Sequence, residues 1–329
     1  MKKPFILLCF ALGALAVLAI APMAGMAFIP IDRLWTDGAG MDAGILRDLR
    51  IPRTLTAFIA GSALALSGMA FQAMFRNPLA TPFTLGTASG ASLGAALFIR
   101  FGLAGSFLGI SGISFAAFSG SLLAVGLVYG LTRLKAGFST ATLLLAGIAV
   151  SFFFSSLILF THYLSGSASS FRIMRWMMGS VDLAGYEPLL NMLPFVVAGA
   201  IAVIVSAHEL DLLMTGDDIA ASRGVSVNRT KKLLFTGASL MVGGVVAFCG
   251  PIGFVGMMAP HICRLLIGNN HRYLIPASIL FGGIFLVVCD TLARTLAAPV
   301  EIPVGVITAL LGGPFFLLLL LNRKGGLDL

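Results

Sequence analysis

The sequence is poor in charge: Lys, Arg, Asp and Glu make up only 10% of its 329 residues, where a soluble domain carries about 25%. A chain of this length folded in water would need a far more charged surface, so an ordinary soluble enzyme is excluded. A disordered chain is excluded too, because disorder needs low hydrophobicity. Cysteine is also scarce. Cys9, Cys249, Cys263 and Cys289 lie in apolar stretches and form no Cys-x-x-Cys, which argues for small buried hydrophobes rather than a disulfide framework or metal site. No Lys follows a Gly, so the chain has no phosphate-cradling P-loop. His208-Glu209 lacks the second histidine of a zinc-protease helix. Gly90-Ala-Ser92-Leu-Gly94 has the form of a nucleophile elbow, but it sits in an uncharged apolar run. With Gly86 it reads instead as two overlapping GxxxG helix-packing units.

What the chain has is apolar length. Hydrophobic residues make up 58% of it. Residues 5–31 are uncharged, longer than the 7–15 apolar residues of a signal peptide and long enough to span a bilayer; they read as an uncleaved first helix. Further spans are expected over residues 54–75, 78–99, about 112–132, 139–161, 188–207, 233–249, about 255–268, 274–295 and 304–322. Gly102–Gly112 reads as a turn, and Gly250-Pro-Ile-Gly253 as a break before a short helix. Backbone in lipid must bond to itself, and no ten-residue alternating strands suggest a barrel. The expected fold is an all-α polytopic membrane protein of about ten transmembrane helices in a single domain over residues 1–329.

With both termini inside, 13 of the 21 Lys and Arg residues fall on the cytoplasmic side, among them Lys135, Arg323 and Lys324. This agrees with the positive-inside rule and explains the net charge of +8 without nucleic acid. Gly61-Ser-Ala-Leu64-Ala-Leu-Ser-Gly68 weakly matches Gly237-Ala-Ser-Leu240-Met-Val-Gly-Gly244 five spans later. Five spans reverse the direction of the second copy, as in the inverted repeats of transporters, although small-residue helix faces also match by chance.

Charge gathers in two segments, residues 32–53 on the outer side and 208–232 on the inner, with eight charges each. In the inner one, Gly216, Asp217, Asp218, Arg223 and Gly224 outline a short helix between glycines, with acids in its first turn and Arg in its last, as the helix dipole favours. Residues 225–229 read as a second short helix leading into the next span.

Several long motifs then occur in order: Leu49-Arg-Ile-Pro-Arg-Thr54, Arg76-Asn-Pro-Leu-Ala80, Gly250-Pro-Ile-Gly-Phe-Val-Gly256, Ala259-Pro-His261, Asp290-Thr-Leu-Ala-Arg294, Pro303-Val-Gly-Val-Ile-Thr308 and Gly312-Gly-Pro-Phe-Phe316. On these the chain resembles the FecCD family of ABC-importer permeases, which serve vitamin B12, haem and ferric siderophores. The resemblance covers nearly the whole chain. It implies an inverted-repeat type II permease in the cytoplasmic membrane, working as a homodimer. Two ATP-binding ABC subunits beneath it hold ATP and Mg, so this chain needs no cofactor, and a periplasmic or lipoprotein substrate-binding protein docks above.

By the same resemblance, residues 208–232 form the coupling loop, with Asp217, Asp218 and Arg223 as polar contacts to the ATPase. Arg50, Arg53 and Arg294 match outer-face arginines that meet acids on the binding protein, Arg294 pairing with Asp290 while staying partly free. Asn77, Leu79, Thr140 and Ala141 match a cytoplasmic gate, whose polar character Ala141 leaves open. Arg172, Met174, Arg175, Met177 and Met178 match a short outer helix at the mouth of the path; interfacial anchoring by Arg and Trp176 explains them equally well. The cargo expected is an iron chelate, with cobalamin as the alternative. An ion-coupled secondary transporter would need an intramembrane acid relay, and Asp290 is the one acid within a span.

Overall fold

The computed structural model describes residues 2–36, 40–107, 109–134 and 140–322. Lys135, Arg323 and Lys324 lie outside them. Among the described residues the only strands are the two-residue β1 (Ser106–Phe107) and β2 (Ile110–Ser111), paired antiparallel. They fall in the glycine-rich stretch expected to turn.

The helices follow the apolar runs. They are α1 (Lys2–Ile20), α2 (Ile51–Phe75), α3 (Thr87–Arg100), α4 (Gly112–Leu134), α5 (Thr140–Tyr163), α6 (Ser167–Met177), α7 (Glu187–Val205), α8 (Ala207–Thr215), α9 (Asp217–Ser222), α10 (Val227–Cys249), α11 (Val255–Ile267), α12 (His271–Thr295) and α13 (Val304–Asn322). Short turns, including a π-helical one over Ile45–Arg50, lead into α2. All ten expected spans have a helix. Seven of them are long and apolar enough to cross a membrane by themselves, while α3, α11 and α13 are shorter or less apolar.

Four boundaries differ from the sequence reading. The first span, expected over residues 5–31, ends as helix α1 at Ile20, where Ala21–Met23, with Pro22, turn into a 3-10 helix. The span expected over residues 78–99 begins only at Thr87, because Pro82–Leu85 form a 3-10 turn and Gly86 turns left-handed at φ 82°. Helix α2 starts at Ile51 rather than residue 54, which places Arg53 inside its first turn. Residues 225–229 do not make a separate helix. Thr230 N–H donates to Ser226 O at 3.0 Å and the segment runs straight into α10.

Helix α2 occupies the centre. It packs on α12, α11, α10 and α7, and almost every residue from Thr54 to Phe75 is buried or half-buried. In lipid the hydrophobic effect does not drive helices together, so close backbone approach through small residues does the work. A Cβ at Gly61 would overlap the Gly282 carbonyl of α12, and one at Gly68 the Gly256 carbonyl of α11. Gly90 and Gly94 pack likewise on the Gly120 and Ala116 carbonyls of α4, so the elbow-like motif is a helix contact. The packing repeats along the chain. Helix α3 lies on α4 as α11 lies on α12, and α4 meets α10 as α12 meets α2. Each short helix of a pair follows a broken stretch, at Gly86 for α3 and at Gly250 and Phe254 for α11, all with positive φ. Large side chains on α5, α7 and α13, such as Phe152, Leu190 and Leu317, point outward, as a lipid-facing surface requires.

Gly68→Val should destabilise the detergent-solubilised protein by about 3 kcal/mol, because backbone rather than a pliable side chain opposes the new methyls. A melting temperature within error of the parent would show that α2 and α11 are not in register at this point.

Candidate functional site

The end of the bundle where α2 begins is organised on one carboxylate. Asp290 on α12 is fully buried, and the guanidinium of Arg53 on α2 grips it, Nη2 at 2.9 Å and Nε at 3.1 Å from Oδ1. Arg294, one helical turn after Asp290, puts Nε 3.2 Å from Oδ2. The remaining Nη1 of Arg53 donates to Glu301 Oε2 at 2.7 Å, with Asp182 Oδ1 3.6 Å away. Asp182 in turn lies 3.6 Å from Arg175 of α6. The network therefore ties α2, α12, the segment after α6 and the approach to α13.

The arginines also fasten the stretch that follows α1. Arg50 donates to the carbonyls of Met23 (3.0 Å), Ala27 (2.8 Å) and Pro22 (3.3 Å). Arg294 donates to those of Ala24 (3.1 Å) and Ala21 (3.3 Å). These carbonyls lie in the 3-10 turn Ala21–Met23 and the stretch after it, past the end of α1, where guanidiniums supply donors to carbonyls outside the helical ladder. The expectation that Arg294 stays partly free is corrected: it is 3% exposed, and Arg53 only 8%. Asp290 draws both inward, and the carbonyls of Ala21 and Ala24 hold Arg294 further. Arg50 is half-buried. Sequence reading missed Glu301 and Asp182. They are distant in the chain from Arg53, and nothing in their local pattern distinguishes them from other surface acids.

Near the same end, α6 carries the residues expected at the mouth of a path. Arg172, Met174, Arg175 and Met177 are exposed, Met178 half-buried just past the helix. Arg172, Arg175, Trp176 and Asp182 border a cavity of about 580 Å³ backed by Phe98 and Phe248. A polar rim over an aromatic floor suits an amphipathic solute.

At the opposite end, where α2 finishes, Gly216 (φ 127°) and Gly224 (φ 88°) bracket α9. Ala220 is its buried anchor, while Asp218, Ile219 and Arg223 are exposed. Asp217 does not stand free as a partner contact. Its Oδ2 accepts from Lys231 Nζ on α10 at 2.5 Å, and that lysine side chain is 2% exposed. The salt bridge thus fixes α9 on the body of the protein and leaves the other face outward. Close by, Arg76 ends α2 in the left-handed conformation, and Asn77 Oδ1 accepts from Leu79 N–H at 2.9 Å, which leaves the Leu79 side chain 52% exposed. Thr140 and Ala141 open α5, Ala141 exposed; the Thr140 side chain lies outside the described residues. Two further polar pairs were not foreseen: Gln72 with Arg264, and Asp211 with His271, whose backbone N–H and Nδ1 lie 2.9 and 2.6 Å from Asp211 Oδ1.

Residues 11–322 match the model of the FecCD transport family. The chain is 40% identical over 280 residues to the cobalamin import system permease protein BtuC of Halobacterium salinarum, covering 85% of this chain and 74% of that one. It is 38% identical over 327 residues to the hemin transport system permease protein HmuU of Yersinia pestis, covering 98% and 97%. A solved structure described as a metal-chelate type ABC transporter in an inward-facing conformation superposes with a TM-score of 0.86 at 30% identity, covering 97% of this chain and 99% of the other.

Asp290→Ala should cost about 3–5 kcal/mol, since it strands two buried cations. Glu301→Gln should cost less than about 1 kcal/mol, since Glu301 is 36% exposed and water replaces much of the pairing. Thermal denaturation of both variants checks the ranking; equal losses would mean that the rim acid carries as much of the network as the buried one.

Proposed function

This chain belongs to the FecCD transport family and is a multi-pass ABC importer permease, and from that premise we propose that it conducts an iron chelate, haem or a ferric siderophore, into the cytoplasm. The observation that carries the cargo is its likeness along almost the whole chain to a hemin permease and to a metal-chelate transporter. Cobalamin is the competing cargo, favoured by the likeness to the cobalamin permease.

The working unit is a homodimer with both termini inside, two ABC subunits beneath that bind ATP and Mg, and a substrate-binding protein above. Coupling runs through the exposed face of α9. Ile219 is 50% exposed between Asp218 and Arg223, an apolar knob with charged flanks that suits a cleft on the ATPase. The Asp217–Lys231 bridge and the two positive-φ glycines make α9 a rigid lever rather than a loose loop.

Docking of the binding protein centres on Arg50, the most open of the three outer arginines. Arg53 and Arg294 act from behind, by holding the network that shapes the surface. Closure of the ATPases moves α9 and hence α10. Asn77, Leu79, Thr140 and Ala141 border the inner gate, and Arg172, Met174, Arg175, Met177 and Met178 the outer mouth, where arginines attract carboxylates and methionines offer an adaptable wall. An ion-coupled carrier is disfavoured, because two guanidiniums already neutralise Asp290.

Proteoliposomes holding this chain with its ATPase, and the loaded binding protein outside, should take up haem or a ferric siderophore in an ATP-dependent, vanadate-sensitive way. Uptake of cobalamin alone would overturn the cargo, and uphill uptake without the ATPase would overturn the class. Ile219→Asp with Arg223→Glu should leave folding unchanged and cut co-purifying ATPase at least tenfold; undiminished ATPase and uptake would remove α9 from the coupling path. Arg50→Glu should weaken binding-protein affinity about fivefold, since one rim charge is worth about 1 kcal/mol; unchanged affinity would exclude it from docking.

A further inference from the structure

Beside the base of α9 lies a cavity of about 1040 Å³, between the end of α2, α8 and α11. Gln72, Arg76, Asn77, Thr215, Arg264 and Asn270 contribute to its wall. Arg264 is the unusual member. Its Nη1 donates to Gln72 Oε1 at 2.5 Å, and Gln72 is held in turn by donating to Met257 O at 3.2 Å. The Nε and Nη2 of Arg264 are buried without a hydrogen-bond partner among the described residues. Unpaired buried donors on a cation are costly. A guanidinium held at one corner with its other donors unused suits an oxyanion, which it pairs bidentately once a side-chain rotation brings those donors from beneath the cavity wall to its surface.

The surroundings narrow the anion. Exposed Arg76 adds a second positive charge on the same wall. Asp211 also lines the cavity, but its Oδ1 is engaged by the backbone N–H and ring of His271. One lining residue, Leu265, is 72% exposed, and Leu266 beside it 51%. The mouth is therefore cationic inside and apolar at the rim.

We propose that this cavity binds the phosphate of an anionic phospholipid from the inner leaflet, with Arg264 and Arg76 pairing with its oxygens and Leu265 meeting an acyl chain. Basic pockets between helices on the cytoplasmic side recognise headgroups of this kind. A free phosphate offers the same oxygens but has no use for the apolar rim. The site touches Thr215, directly before Gly216, so a bound lipid would brace the support of α9. The assignment to the inner leaflet rests on the orientation proposed above.

The test is native mass spectrometry of the full chain in detergent, titrated with phosphatidylglycerol or phosphatidylcholine. Phosphatidylglycerol should bind preferentially, inorganic phosphate in excess should not displace it, and Arg264→Gln and Arg76→Gln should each weaken it about fivefold. Should Arg264→Gln fail to fold, Arg76→Gln, altered at an exposed position, carries the comparison alone. Full displacement by inorganic phosphate would make this a free-anion site and overturn the lipid. Wild-type lipid binding in the folded variants would overturn the site, and if those variants also lost the ATPase, the cavity would belong to that protein partner. Uptake in proteoliposomes is scored separately, so failure of lipid binding leaves the transport reading standing. Labelling of Arg76→Cys by an impermeant maleimide only from the cytoplasmic side checks the leaflet; labelling from outside alone would overturn the inner-leaflet assignment.

Discussion

The close approach of backbones along α2 is the contact on which the rest of the molecule depends. Gly61 meets the Gly282 carbonyl and Gly68 the Gly256 carbonyl, and no side chain larger than hydrogen fits at either place. Because lipid supplies no hydrophobic drive between helices, this contact sets the positions of α11 and α12 against α2. Both functional ends inherit their geometry from that helix. Arg53 stands in its first turn, and Gln72, Arg76 and Asn77 mark its last turn and exit. A shift of α2 would disturb both ends together.

The two ends use charge in opposite ways. Where α2 begins, guanidiniums are drawn inward onto Asp290 and the carbonyls just past α1, so that charge works mainly as internal fastening. A buried carboxylate between two arginines is tolerable only because each partner is satisfied further out, by Glu301 or by carbonyls. Where α2 finishes, a salt bridge between Asp217 and Lys231 fastens one face of α9, and the opposite face, with Asp218, Ile219 and Arg223, is left to the surroundings. The end at Arg53 is thus braced and the end at α9 offers a surface.

Much of the fold was legible in the residues. The ten apolar runs, the break at Gly250–Gly253, the turn before α4 and the short helix between Gly216 and Gly224 follow from hydropathy, glycine and charge placement. The Gly90 and Gly94 contact was readable as helix packing for the same reason, whereas Gly86, read as part of that ladder, is the left-handed turn before α3. Less legible was where α3 begins, because an uncharged stretch looks alike whether it is helix or 3-10 turn. The candidate site divided similarly. Arg50, Arg53 and Arg294 were found from their motifs, but their burial was not, and neither were Glu301, Asp182, Gln72 and Arg264 as partners.

Composition and periodicity alone determined that the chain lies in a membrane as a helical bundle, since scarce charge and long apolar runs leave the backbone no other way to satisfy its hydrogen bonds in lipid. Tertiary structure alone decided which charges face inward. Arg53 and Glu301 are 248 positions apart, and Gln72 and Arg264 are 192 apart. Side chains that distant meet only when helices pack, and it is packing, by excluding water, that turns an arginine from a docking group into a brace.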